Sequence, residues 1–123
     1  MTELTLGLLV LRSSQMEASL AFYHAIGLSF VEEKHGSGPI HYSCRVGASV
    51  IEIYPGSARE PQNHQESGAT LLGFNVSSLD TVLDTLKQIG APVLTDPKMS
   101  AWGRRAVVQD PDGRAVELLQ PIR

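Results

Sequence analysis

Two glutamates sit in otherwise apolar company. Glu52 stands in the run Ser49–Tyr54 and Glu117 in the run Ala115–Leu119, where most neighbours are aliphatic. A carboxylate is costly to bury alone, so each needs water, a counter-charge, a metal or a ligand. The surroundings of Glu52 are chemically capable. A two-residue hairpin at Gly47-Ala48 pairs Val46 with Ser49, Ser43 with Glu52 and His41 with Tyr54, and period-two alternation then sorts the strands. His41, Ser43, Arg45, Glu52 and Tyr54 share one face, while Tyr42, Cys44, Val46, Ile51 and Ile53 share the other. The second face suits packing under helices and the first suits a ligand. A carboxylate and an imidazole converging there form a general acid/base pair, with His41 the better proton carrier because imidazole as a class titrates near neutrality. A structural reading competes with this one: Arg45 and Glu52 as a cross-strand ion pair, and His41 as a partly exposed strand histidine.

Glu117 follows Asp110-Pro111-Asp112-Gly113, a sequence built to reverse the chain: proline presets φ, the aspartates accept from backbone amides and glycine takes positive φ. Pairing around that turn sets Ala106 opposite Glu117, with Arg104, Val108, Ala115 and Leu119 on the same face, so that Arg104 either compensates Glu117 or holds an anionic ligand. Trp102, on a loop before that strand, is either core or a stacking wall. Asn75 and Gly73 alternate onto the face of Leu71, where Asn75 adds a hydrogen-bonding group. The candidate site is therefore Glu52, Glu117 and His41 for chemistry, with Ser43, Arg45, Tyr54, Asn75, Trp102 and Arg104 as ligand contacts. His24 and His64 read as a helix-flank and a linker residue; His35, in a glycine-rich loop, leads towards the strand of His41. The lone Cys44 reads as a small buried side chain.

The elements that must position these residues repeat. Leu4–Leu11 is a strand, Ser14–Glu17 has capping-box spacing, and Met16, Leu20, Tyr23 and Ile26 form a helical face before Gly27. Leu28–Lys34, Ile40–Val46 and Ser49–Tyr54 complete a βαβββ unit. After the polar stretch 57–69 the pattern restarts: strand Thr70–Val76, helix start Ser77–Asp80, buried face Leu79, Val82, Leu83, Leu86 and Ile89, strand Val93–Thr95, loop Asp96–Gly103, then a hairpin. Leu20, Tyr23, Ile26 and Gly27 superpose on Leu83, Leu86, Ile89 and Gly90 at one constant shift, which Glu52 and Glu117 keep to within two residues. The expected organisation is one α+β domain over 1–123, with module one at 1–56, a linker at 57–69 and module two at 70–123.

Composition sets outer limits. With 123 residues, 42% hydrophobic, 19% charged and a net charge of −3, the chain has enough length for a core and no electrostatic reason to seek nucleic acid. No apolar run reaches a membrane span and the start Met1-Thr2-Glu3 lacks a basic region, so a cytosolic protein is expected.

The duplicated unit, Ala-Phe-Tyr before the Ile-Gly-Leu helix end, Val-Ile-Glu-Ile-Tyr, Trp102-Gly103-Arg104 and Asp-Pro-Asp-Gly before Glu-Leu together resemble the vicinal oxygen chelate superfamily, the glyoxalase, bleomycin-resistance and extradiol-dioxygenase group. The resemblance implies two tandem modules whose sheets form a curled, open, barrel-like cleft with helices outside, and a homodimer. In its metal-using members the first and last strands of each module supply the ligands. Glu52 and Glu117 match the last-strand positions; the first-strand positions fall near Leu8 or Gly7 and near Leu71, none of which binds a metal. The resemblance thus implies a small-molecule-binding protein without a tightly bound cofactor. The alternative is a divalent-metal lyase or isomerase of the glyoxalase type, its cation on Glu52 and Glu117 and its shell completed by water or substrate.

Overall fold

The structure is a computed structural model that describes residues 4–56 and 70–122; the stretch 57–69, with His64, lies outside the described residues. Those two segments fall in separate compact units. Each unit is a βαβββ module with one four-stranded mixed sheet.

Module one runs β1 (Leu8–Ser13), α1 (Met16–Ile26), β2 (Val31–Glu33), β3 (His41–Val46) and β4 (Ser49–Pro55), in sheet order β1-β4-β3-β2. The hairpin register is the expected one, with Val46 opposite Ser49 and Ser43 opposite Glu52. Gly47 makes this turn possible at φ 59. Cys44, Ile51 and Ile53 are buried on the apolar face, together with Leu11. β1 lies parallel to β4 and pairs Leu8 with Val50, Val10 with Glu52 and Arg12 with Tyr54. The helix turns slightly from the expected face: Ser19, Phe22, Tyr23 and Ile26 are buried, while Met16 and Leu20 are only half-buried. Its start also differs from the capping-box expectation. Gln15 occupies the N-cap without a side-chain bond, and Ser13 Oγ instead accepts from the Gln15 amide at 3.1 Å and pairs with Ser19 Oγ at 2.7 Å.

Module two runs β5 (Leu72–Asn75), α2 (Leu79–Gln88), β6 (Val93–Ser100), β7 (Gly103–Gln109) and β8 (Ala115–Pro121), in order β5-β8-β7-β6. Leu79, Leu83 and Leu86 anchor α2 in the core; Ile89, expected beside them, is 48% exposed because the helix ends at Gln88 and Ile89 is its cap. Ser78 caps the start, its Oγ accepting from the Thr81 amide at 3.3 Å and donating to Thr81 Oγ1 at 2.9 Å. Ser78→Ala is expected to cost about 1 kcal/mol in chemical denaturation, and Ser78→Gly only a fraction of that. The expected loop Asp96–Gly103 is mostly strand. β6 continues through Pro97 to Ser100, with register shifts between Thr95 and Lys98 where a residue without an amide proton interrupts the ladder.

One register differs by a single residue, and its effect is large. Gln109 pairs with Ala115 across a five-residue turn, so Glu117 faces Val107 and not Ala106. Asp110 sets that length. Its Oδ1 accepts from the amides of Asp112 and Arg114, both at 2.9 Å, and its Oδ2 meets Arg114 Nη1 at 3.1 Å. A one-residue slip moves every side chain to the other face. Arg105 therefore shares a face with Glu117, and Arg104 points the opposite way.

Candidate functional site

In module one the polar face gathers around His41. β2 pairs Glu33 with His41, and β4 brings Tyr54 against the same ring. The imidazole stacks on Tyr54 with centroids 4.2 Å apart and planes 6° from parallel, and the Arg12 guanidinium lies 5.2 Å over the Tyr54 ring. Only 1% of His41 is exposed. Its Nδ1 lies 3.3 Å from the Pro39 carbonyl oxygen, an acceptor only, so Nδ1 is the donor in this contact and the ring is oriented by it. Its Nε2 is within ion-pair distance of Glu33 Oε1 (3.3 Å) and Glu52 Oε2 (3.8 Å), yet has no hydrogen-bond partner among the described residues. His35 approaches from the β2–β3 loop, with Nε2 3.6 Å from Glu33 Oε1 and its ring 5.1 Å from that of His41.

Chemically, this is a buried imidazole held between carboxylates on a sheet face. It can accept a proton or share its lone pair with a cation. The face around it is partly greasy. Leu8 is 54% exposed, Val10 36% and Val31 65%, and their register places all three on the side of Glu52 and His41.

The sequence-predicted residues divide accordingly. His41, Glu52 and Tyr54 come together, and Ser43 lies opposite Glu52. Arg45 does not join them: it stands opposite Val50, exposed, and no ion pair links it to Glu52 among the described residues. In module two Glu117 is held by Arg105, Nε to Oε1 at 2.5 Å, and not by Arg104, which pairs with Asp80 of α2 at 2.7 Å. Asn75 lies on the Glu117 face, exposed and opposite Leu119; Gly73 lies directly beside Glu117. Trp102 is 75% exposed, which removes the core reading. Glu33 was not among the predicted residues, and His35 was only weakly marked. The legible signal was the alternation of Val31 and Glu33, which β2 aligns with Ser43 and His41 once the loop length is known.

The metal ligands implied by the resemblance can be tested module by module. In module one the β1 neighbour of Glu52 is Val10, and Leu8 stands one pleat away. In module two the β5 neighbour of Glu117 is Gly73, and an arginine already donates to that carboxylate. One carboxylate with aliphatic or glycine neighbours does not make the donor set of a transition-metal site. These positions do not fit the cation.

The tandem βαβββ modules, each with a mixed sheet and a glutamate on its last strand, define a vicinal-oxygen-chelate-type protein. The sequence profile of the Glyoxalase/Bleomycin resistance protein/Dioxygenase superfamily matches residues 5–118, and the chain belongs to that superfamily. No curated protein sequence matches it. Among solved structures, it is similar to TnmS3, an antibiotic binding protein from Streptomyces sp. CB03234, at 22% identity over 99% of each chain with a TM-score of 0.74. A glyoxalase/dioxygenase from Nostoc punctiforme aligns at 18% identity over 97% of this chain and 92% of that one, with a TM-score of 0.78. TioX from Micromonospora sp. ML1 aligns at 16% identity over 96% and 99%, with a TM-score of 0.68. At these identities the likeness is one of fold. Among the described residues no helix is long and apolar enough to cross a membrane.

Proposed function

We propose that this protein binds a small organic molecule on the polar sheet face of module one, without a cation held by Glu52 or Glu117. One observation carries the reading: the stacked His41–Tyr54 pair with Glu52 beside it, set in a rim of exposed Leu8, Val10 and Val31. Ligand sites combine an apolar lining with a few fixed polar groups, and this face has both. A flat aromatic compound suits it best, since the Tyr54 ring and the rim offer area while Glu52 and Arg12 offer polar contacts. The antibiotic-binding neighbour lends support to a small organic ligand. The alternative, a glyoxalase-type lyase or isomerase with a cation on Glu52 and Glu117, is weakened by the Arg105 guanidinium on Glu117. The same proposal has the protein act as a cytosolic homodimer, which light scattering of the purified chain would check.

The test is a binding screen. Incubating the untagged protein with a mixture of flat aromatic metabolites and recovering the retained compounds by ultrafiltration and mass spectrometry should enrich at least one compound over a denatured control. Tyr54→Ala should weaken its affinity about ten-fold, the order expected from lost stacking together with lost contact area. No enrichment, or full affinity in Tyr54→Ala, would sink the proposal.

A further inference from the structure

His41 is the one buried polar side chain whose nitrogen finds no hydrogen-bond partner among the described residues, and ligand atoms of two other groups able to bind a metal lie within 4.8 Å of it. We infer that Glu33, His35 and His41 form a site for a divalent transition cation, displaced from the last-strand glutamates onto β2, β3 and the loop between them. The inference uses the same sheet face as the proposed organic ligand but does not depend on that ligand.

Four observations support the site. One ligand atom from each of the three residues lies within 4.8 Å of the others. Bonds of about 2.0–2.1 Å at tetrahedral angles put neighbouring ligand atoms roughly 3.3 Å apart. His41 Nε2 to Glu33 Oε1 measures 3.3 Å and His35 Nε2 to Glu33 Oε1 measures 3.6 Å, so two of the three edges are already close to that length. The remaining edge closes by rotation of His35, whose side chain is 72% exposed.

The second observation is the unmade bond. A carboxylate oxygen 3.3 Å from Nε2 that is not aligned for an N–H···O bond is poorly placed for that bond, and better placed to share a cation lying on the nitrogen's own axis. Third, the other ring nitrogen is tied to the Pro39 carbonyl at 3.3 Å. Metal-binding histidines commonly donate their second N–H to a backbone carbonyl, which fixes both tautomer and ring plane. Fourth, Tyr54 stacks on the ring and limits its rotation.

Two imidazoles and one carboxylate favour zinc, nickel, cobalt or iron(II) over magnesium or calcium, which prefer oxygen. The fourth position is left to water or to an oxygen of an incoming molecule, on the side where Glu52 Oε2 lies 3.8 Å from His41 Nε2. The loop that carries His35 is shaped locally: Gly36 sits at φ 59, and the Gly38 amide donates to the His35 carbonyl at 2.9 Å.

Calorimetric titration of the untagged, metal-stripped full chain with zinc or nickel chloride alone tests the inference, with magnesium as the contrast. One equivalent should bind with a Kd of micromolar order or below, and magnesium should not compete. On zinc addition, the imidazole resonances of His35 and His41 should shift while those of His24 stay in place. Glu33→Gln and His35→Ala alter partly or largely exposed side chains, and each should lose at least ~10-fold in affinity, since even outer-shell losses reach that order. Glu117→Gln should keep full affinity. Unchanged far-UV circular dichroism would separate loss of ligands from loss of fold. No zinc or nickel binding below millimolar, affinity kept in folded Glu33→Gln and His35→Ala, or a loss confined to Glu117→Gln would each overturn the site. A cation bound with no organic ligand found would leave the site standing while the proposed function failed.

Discussion

Gly103→Ala should destabilise the protein by about 3 kcal/mol or more, the largest single effect expected from one methyl group. Gly103 opens β7 at φ 143, a conformation that residues with a side chain rarely adopt and that costs on the order of 1–3 kcal/mol when forced. Sterics add to this. A Cβ there would overlap the Gln120 carbonyl oxygen and lie 2.9 Å from Pro121 Cα, both backbone atoms of the paired strand β8. Neither atom can swing aside, so β7 and β8 must separate at that end. Ser100 Oγ donates to the Gly103 carbonyl at 2.6 Å and the Ile122 amide donates to Trp102 O at 3.1 Å, so the disturbance reaches the whole hairpin tip. Urea titration followed by circular dichroism would measure it. Gly113→Ala, at φ 92 in the neighbouring turn, should cost less, in the range of a strained backbone alone. A Gly103→Ala variant within about 0.5 kcal/mol of the parent would contradict the packing described for β7 and β8.

Asp110→Ala should follow at about 2–4 kcal/mol. The carboxylate is buried, with the residue 3% exposed, and it serves two backbone amides and one guanidinium. Net contributions of hydrogen bonds to a charged acceptor run to about 1.5–3 kcal/mol, and removing the acceptor leaves its donors unmatched. Asp110→Asn keeps an acceptor for the two amides and loses the charge opposite Arg114, so about half the cost is expected. The comparison in urea isolates the contribution of the turn. Equal stability of Asp110→Ala and parent would mean that Asp110 does not set the five-residue turn.

That turn is also where sequence reasoning and structure part. The pattern Asp-Pro-Asp-Gly announces a reversal, and β7 and β8 are where the alternation puts them, but the loop's length depends on an aspartate reaching amides two and four residues ahead. Nothing in residue type separates a four-residue reversal from a five-residue one. The slip of one position replaced Arg104 by Arg105 as the partner of Glu117. In module one the two-residue turn at Gly47-Ala48 left no such choice, so the pairing of Ser43 with Glu52 and the sorting of the two faces were legible in advance. The duplicated helices were legible because apolar residues recur at helical spacing; Leu79, Leu83 and Leu86 fell where expected, while Met16 and Leu20 are only half-buried and Ile89 lies one residue past its helix.

Glu33 was hidden differently. β2 is only three residues long, and it carries Glu32 beside Glu33 and exposes Val31, so no burial pattern marks which carboxylate turns inward. Which one meets His41 is decided by the length of the Lys34–Ile40 loop, through pairing of Glu33 with His41. His35 becomes informative only after that pairing, since its interest lies in its distance to Glu33 and His41. Residues whose role depends on strand register across a loop are the ones a single sequence conceals.

The most direct test of ligand binding on module one is crystallographic. Crystals of the full chain soaked in a mixture of flat aromatic compounds should show density in van der Waals contact with Tyr54 and within hydrogen-bond distance of Glu52 or Arg12. Density held by Arg105 and Glu117 without touching that face, or a bare face at concentrations where binding is measured in solution, would contradict the account.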